Sequence, residues 1–206
     1  GDGSETQRKT PTLITERIAA IAAGGEHSMW IQVNSPPAFS FTESPLSQTV
    51  LLGSAVAMTV ELSGDGPVSL QWRKDGESLE GETGTSLQIA AAQFDDAGDY
   101  DVVGTNTSGM LISASATLVV QQAPEIIEHP ETRSVDLGAT TEFSVVAIGS
   151  PAPTYQWRKD GEDIADASFS SISLTQVEAG DAGVYDVVVS NVAGIAISTT
   201  ATLRVL

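Results

Sequence analysis

From about residue 38 onward, apolar and polar positions alternate with a period near two, in short runs separated by turn signals. Thr141-Glu142-Phe143-Ser144-Val145-Val146-Ala147 is one such run. Alternation of this kind describes a strand with one face in a core. Thr154-Tyr155-Gln156-Trp157-Arg158 follows, after the turn-rich Gly149-Ser150-Pro151-Ala152-Pro153. Then come Ser171–Leu174, Tyr185–Val189 and a long last strand from Ile195 to Val205. An earlier series has the same plan: Ala57–Leu62, Val68–Trp72, Leu87–Ile89, Tyr100–Val103 and Leu111–Val120. Roughly seven strands at a spacing of about 8–12 residues predict an antiparallel sandwich. No helix of ordinary length is expected. The helix-like Ala90-Ala91-Ala92-Gln93 sits where a strand-to-strand turn belongs.

The two series are copies. Gln71-Trp72-Arg73-Lys74-Asp75-Gly76-Glu77 returns 85 positions later as Gln156-Trp157-Arg158-Lys159-Asp160-Gly161-Glu162. Tyr100-Asp101-Val102-Val103 returns as Tyr185-Asp186-Val187-Val188 at the same offset, and Pro45, Gly53, Asn106 and Gly109 return as Pro130, Gly138, Asn191 and Gly194. No gap is needed between Pro45 and Val205. A duplication this regular sets the architecture: two sandwiches, at residues 38–121 and 122–206, behind a segment of residues 1–35. Gln121-Gln122-Ala123-Pro124 reads as a short junction stiffened by proline, with limited bending between the domains.

Composition narrows the function classes. The 206 residues carry 27 acidic and 9 basic side chains, a net charge of -18. Such a surface is repelled by phosphate backbones, so no nucleic-acid partner is expected. Hydrophobic residues make up 41% of the chain, which suits packed domains. No apolar run approaches the ~20 residues that cross a bilayer, so membrane insertion is not expected. Gly1-Asp2-Gly3-Ser4 has neither a basic region nor an apolar stretch, so a signal peptide is expected to have been removed or to lie outside this sequence. The absence of cysteine excludes disulfides, thiol catalysis and thiolate metal sites.

Trp72-Arg73-Lys74-Asp75-Gly76, then Asp96-Ala97-Gly98 before Tyr100, then Asn106 and Gly109, resembles the immunoglobulin superfamily, nearest its intermediate set, and the second copy does the same. The resemblance implies that Trp72 and Trp157 lie on strand C of each sandwich and pack where the family's inter-sheet disulfide stands. It also implies that Tyr100 and Tyr185 form tyrosine corners. Where that family carries its inter-sheet disulfide, this chain has Val60 and Val102 in the first copy and Val145 and Val187 in the second. The chain is therefore similar to cysteine-free tandem modules of bacterial surfaces. A disulfide typically contributes ~2–4 kcal/mol, and burial of a valine ~1.5–3 kcal/mol, so a well-packed valine pair suffices. The expected cores are Val60, Trp72, Tyr100 and Val102, and Val145, Trp157, Tyr185 and Val187. In the family an arginine often pairs with the aspartate ahead of the tyrosine. Asp96 and Asp181 have no evident arginine partner here.

Residues 1–35 carry a second resemblance. Gly1-Asp2-Gly3-Ser4-Glu5-Thr6-Gln7-Arg8-Lys9-Thr10-Pro11, followed by Ile18-Ala19-Ala20-Ile21-Ala22-Ala23-Gly24-Gly25-Glu26-His27-Ser28-Met29-Trp30, is similar to most of one repeat of the regulator of chromosome condensation family, a seven-bladed propeller. One incomplete blade cannot bury both sheet faces. Two short strands are marginal alone, so Ile18, Ile21, Met29, Trp30 and Ile31 are candidate assembly contacts with a partner.

Candidate chemistry is sparse. His27-Ser28 fits the recurrent structural place of such a pair in the blade. His129 precedes Pro130 and stands apart from it, so no base with an orienting group is expected and the chain is not read as an enzyme. Asp95, Asp96, Asp99 and Asp101 cluster in sequence, as do Asp160, Glu162, Asp163 and Asp166. Calcium needs ~6–8 oxygens converging on one point, and no repeated loop supplies them. Solvated acidic faces are expected, with no metal or cofactor. Lys74 and Lys159 are expected to be exposed before their Asp-Gly turns. The functional expectation is a non-enzymatic extracellular or cell-surface module, a rod-like spacer or adhesion unit that contacts a protein partner or itself. Two alternatives are a filament subunit joined through residues 1–35 and the stalk of a propeller-type recognition protein. Thermal melting in calcium and in excess chelator is expected to agree within about two degrees, and a clear calcium-dependent rise would turn one acidic cluster into a site.

Overall fold

The computed structural model describes residues 39–64 and 66–206, together with the backbone of residues 21–24 and 27–30. Strands β1 (Ile21–Gly24) and β2 (His27–Trp30) pair antiparallel. Ile21, Met29 and Trp30 lie on them. Ile18, Ile31 and most of the propeller-like segment lie outside the described residues.

The first sandwich contains β3 (Phe39–Glu43), β4 (Gln48–Leu51), β5 (Val56–Thr59), β6 (Glu61–Gly64), β7 (Ser69–Lys74), β8 (Glu77–Ser78), β9 (Ser86–Ile89), β10 (Gly98–Asn106), β11 (Gly109–Ile112) and the start of β12 (Ala116–Glu128). The second is built from the end of β12, β13 (Arg133–Val135), β14 (Thr141–Ser144), β15 (Val146–Ser150), β16 (Thr154–Lys159), β17 (Glu162–Asp163), β18 (Ser171–Leu174), β19 (Gly183–Asn191), β20 (Gly194–Ile197) and β21 (Ala201–Val205). The sequence offset holds in the strands too. β7 and β16, β10 and β19, and β11 and β20 occupy equivalent residues and equivalent registers.

Each sandwich packs a large sheet over smaller strand pairs. In the first, β10 lies between β7 and β12, β11 also pairs with β10, and β4 adds to β12. Against this pack β5 with β9 and β3 with β6. The apolar side chains meet between the layers. One core contains Val60, Trp72, Tyr100 and Val102 with Met58, Leu87 and Leu118. The other contains Val145, Trp157, Tyr185 and Val187 with Phe143, Val189 and Leu203. Both tryptophans are fully buried, and each indole Nε1 donates to a backbone carbonyl, Gly84 in one copy and Phe169 in the other, at 2.9 Å.

Four features depart from the sequence expectations. First, the sandwiches are not wholly antiparallel. β4 runs parallel to β12 and β13 parallel to β21. The chain crosses between layers at buried Pro45 and Pro130, which have no N–H to donate and so end the preceding strand. Side chains serve the crossing: Ala114 N–H donates to Ser44 Oγ (3.1 Å) and Thr117 N–H to Ser47 Oγ (2.9 Å). In the second copy Thr199 N–H donates to His129 Nδ1 (3.0 Å) and Thr202 N–H to Thr132 Oγ1 (3.1 Å).

Second, the long last strand is divided into β20 and β21, because Ser198 Oγ accepts the Val187 N–H at 3.0 Å and takes a ladder position. Ser113 divides β11 from β12 in the same way. Third, the run Thr141–Ala147 is split at Val145, whose N–H donates to Ser170 O at 2.9 Å. β14 pairs with β18, whereas β15 pairs with β12.

Fourth, the junction is not a linker. β12 is continuous, with Gln121 paired to Leu51 in the first sandwich and Gln122 to Ser150 in the second. Asn191 fastens the second end. Its Nδ2 donates to the carbonyls of Gln122 and Pro151, each at 2.8 Å.

The Val145→Asp variant is expected to unfold the second sandwich, since an unpaired carboxylate in an apolar core costs several kcal/mol. Loss of the higher or lower of two melting steps checks this, and an unchanged melting curve would contradict the core assignment.

Candidate interaction face

The aromatic residues do not form a binding platform. Trp72, Trp157, Tyr100 and Tyr185 are all buried, and the tyrosines close turns. Tyr100 Oη donates to Asp96 O (2.6 Å) and Tyr185 Oη to Asp181 O (2.7 Å). Burial pushes both phenols up to about 12, helped by the charges of Asp96 and Asp75 on Tyr100 and of Asp181 and Asp160 on Tyr185.

The acidic clusters also divide among separate partners. The Asp96 carboxylate accepts from Gln93 N–H (2.7 Å), Asp99 from Thr117 Oγ1 (2.6 Å), and Asp75 from Asp99 N–H (2.8 Å). Asp101 does not stand in a solvated acidic face: it accepts a bidentate pair from Arg73 Nε and Nη2, both at 2.7 Å. Arg158 and Asp186 repeat that pair at 2.7 and 2.8 Å. The hydrogen bond to the carboxylate holds each guanidinium pKa above its ordinary value. Its sequence signal was present. Arg73 follows Trp72 and Asp101 follows Tyr100, so both point outward on paired strands.

The lysines are not free either. Lys74 Nζ donates to Asp95 O and Lys159 Nζ to Gly180 O, in the turn before each tyrosine. Gly98 and Gly183 allow these lysines and the neighbouring aspartates to pass close. A Cβ at Gly98 would stand 2.6 Å from Asp75 Oδ2 and 2.8 Å from Lys74 Cε. Among the described residues, no group of three or more histidine, cysteine or carboxylate side chains is placed to hold a metal ion.

What remains on the large sheets is an apolar rail. Met110 and Ile112 on β11 are exposed beside Thr105 and Val103 of β10. Ile195 and Ile197 on β20 are exposed beside Ser190 and Val188 of β19. The next strand adds Gln71 and Arg73, or Gln156 and Arg158. Each sandwich thus presents an aliphatic edge flanked by a neutralised ion pair. These positions were missed because outward apolar residues in a strand pattern look like core alternation. The register opposite Thr105 and Ser190 is what gives their direction.

Two family profiles match the chain. One described as an immunoglobulin I-set domain covers residues 39–120, and one described as an immunoglobulin domain covers residues 123–191. Roundabout homolog 1 of Mus musculus is 31% identical over 177 residues, which is 80% of this chain and 11% of that protein. The chain therefore spans about a tenth of that relative's length. The I-band fragment of titin superposes with a TM-score of 0.61 at 25% identity, over 83% of this chain and 66% of the fragment. The immunoglobulin domains of Sidekick-1 superpose with a TM-score of 0.69 at 22% identity, over 82% of this chain and 49% of theirs, a likeness of fold.

The raised phenol pKa values fix an alkaline limit. In the unfolded chain a tyrosine titrates near about 10. Below that pH both states are neutral and the stabilisation is complete. Between about pH 10 and 12 the unfolded chain loses its phenolic protons first, so stability falls. Melting temperature is expected to drop over that window in step with the tyrosinate absorbance, and less steeply in a Tyr100→Phe, Tyr185→Phe variant.

Proposed function

We propose that this chain, a tandem of two immunoglobulin-like domains, is a non-enzymatic spacer and adhesion module of an extracellular or cell-surface protein. Its domains extend over residues 38–121 and 122–206. The continuity of β12 carries this reading. One strand leaves the ladder of the first sandwich at Gln121 and enters that of the second at Gln122. A junction in which the ladder passes directly from Gln121 to Gln122, with a bulge at Ala123 and Pro124, resists bending and transmits tension along the chain, which suits a unit that holds a contact surface at a fixed distance. The repeated rails of Met110 with Ile112 and Ile195 with Ile197 supply that surface. Apolar patches with a polar flank are the usual ground of protein–protein contact, and a protein partner or a second copy fits them better than a small molecule does.

The roundabout protein similar to this chain supports an adhesion or structural role in place of catalysis. The finer reading, a cysteine-free module of the bacterial-surface kind, rests on valine at all four disulfide positions. Assembly through Ile18, Ile21, Met29, Trp30 and Ile31, with another copy or with propeller blades, is supported by the pairing of β1 with β2.

Backbone ¹⁵N relaxation of the full chain tests the spacer. The two sandwiches are expected to tumble with one correlation time, and a Gly-Ser insertion between Gln121 and Gln122 is expected to separate them into two shorter ones. Independent tumbling of the native chain would overturn the reading.

A further inference from the structure

We propose that the uncovered edge of β15, in the second sandwich, is a strand-addition site for an extended basic polypeptide segment with apolar side chains at alternate positions. β15 pairs with β12 on one side only. On the other side β18 ladders with β14 as far as Ser171. The last bond to this part of the chain is Val145 N–H to Ser170 O. Residues just before it turn to the opposite layer, where Ala167 O accepts the Trp157 N–H and Phe169 O accepts the Trp157 indole. The edge therefore offers backbone donors and acceptors to an incoming strand.

The same gap exists in the first sandwich, as an open cleft of about 490 Å³ lined by Thr59, Val60, Glu61, Leu62 and Thr85. The difference lies in the side chains that face outward around it. The first copy has Thr42, Glu61, Ser63 and Gly84, and the second has Ile127, Val146, Ile148 and Phe169 at the equivalent places. These four are 51%, 46%, 44% and 73% exposed. Core, turns and ion pairs are repeated between the copies, but at these four outward places the first copy carries no apolar side chain and the second carries only apolar ones. Val146 and Ile148 are two residues apart on one face, the spacing at which an added strand presents its own alternate side chains.

Charge selects the occupant. Glu128 lies opposite Val146 and Glu125 opposite Ile148 on β12, and Glu142 continues the exposed row of Val146 down the strand. Among the described residues none of these three glutamates forms an ion pair. An apolar row rimmed by unpaired carboxylates matches a segment that carries lysine or arginine beside its apolar positions. A second copy of this chain would bring the same glutamates and a net charge of -18 against them.

The contact uses the edge of β15 that faces away from β12 and does not involve the rails of the large sheets, so its failure leaves the spacer reading standing. The probe is a short synthetic peptide alternating lysine and valine, titrated into the ¹⁵N-labelled full chain. Amide shifts concentrated at Val146–Ser150 are expected. Affinity is expected to fall at least about tenfold in the Val146→Glu, Ile148→Ser, Phe169→Gly variant. Those substitutions install the residues that the first sandwich carries in the same fold, and an unchanged amide pattern around Val187 verifies folding. The same peptide with alternate backbone nitrogens methylated is expected not to bind, because it cannot complete a ladder. Equal binding by the triple variant or by the methylated peptide overturns the proposal, as do shifts spread over the acidic surface. Concentration-dependent shifts at β15 without peptide, lost in the triple variant, would make the occupant a second copy and overturn the basic partner.

Discussion

Each sandwich depends on one buried contact, a tryptophan wedged against two valines from the facing layers. Trp72 fills the space beside Val60 and Val102, and Trp157 the space beside Val145 and Val187. No covalent link joins the layers, so the apolar surface between them supplies the cohesion. That demands a dry core. Every indole, phenol and hydroxyl that enters it must find a partner inside. Trp72 and Trp157 reach carbonyls of the crossing segments, Tyr100 and Tyr185 reach the turns below them, and Ser113 and Ser198 bond to strand backbone. Among the described residues no buried side-chain nitrogen or oxygen is left without a partner. A single unpaired charge at a valine position defeats this arrangement, because no disulfide holds the layers once the apolar contact is lost.

Strand breaks in this protein are made by polar side chains standing in for backbone. Ser44, Ser47, His129 and Thr132 accept N–H groups from the last strand of their sandwich or from the residues just ahead of it, where the chain changes layers. Such substitutions let one strand serve two sheets without orphaned amides. β12 is the extreme case, since its first part completes one sandwich and its last part begins the other. The junction is held by ladder hydrogen bonds and by Asn191, with Pro124 buried beside them.

Most of the cores was legible in the sequence, because Val60, Trp72, Tyr100 and Val102 stand at fixed spacings that the second copy repeats. Alternation also located the longer strands of each sandwich, but not β3, β4, β8, β13 or β17. It did not locate the breaks, since Ser113, Ser198 and Val145 fit a strand pattern and only their hydrogen-bond partners divide the runs. The parallel pairings were hidden because alternation carries no direction. The acidic reading of Asp101 erred for a related reason: charge was counted along the chain, whereas Arg73 lies across the ladder. The exposed aliphatic residues of β11 and β20 were invisible as a face until register showed which neighbours they join.

The two copies share ancestry and diverge unevenly, and the unevenness is informative. Positions that the physics of the sandwich requires are held: the valine pairs, the Asp-Gly turns, the arginine–aspartate pairs, and the glycines under each tyrosine turn. His129 in place of Ser44 shows that identity is relaxed where only an acceptor is needed. Neither sandwich requires a hydrophobic outer row on the strand after the valine. Glu61 and Ser63 show that polar residues serve there, and Val146 and Ile148 stand outside the core cluster. Folding alone therefore gives no reason for the second copy to have exchanged polar for apolar side chains beside an open edge. A contact made by the second sandwich and not by the first supplies that reason.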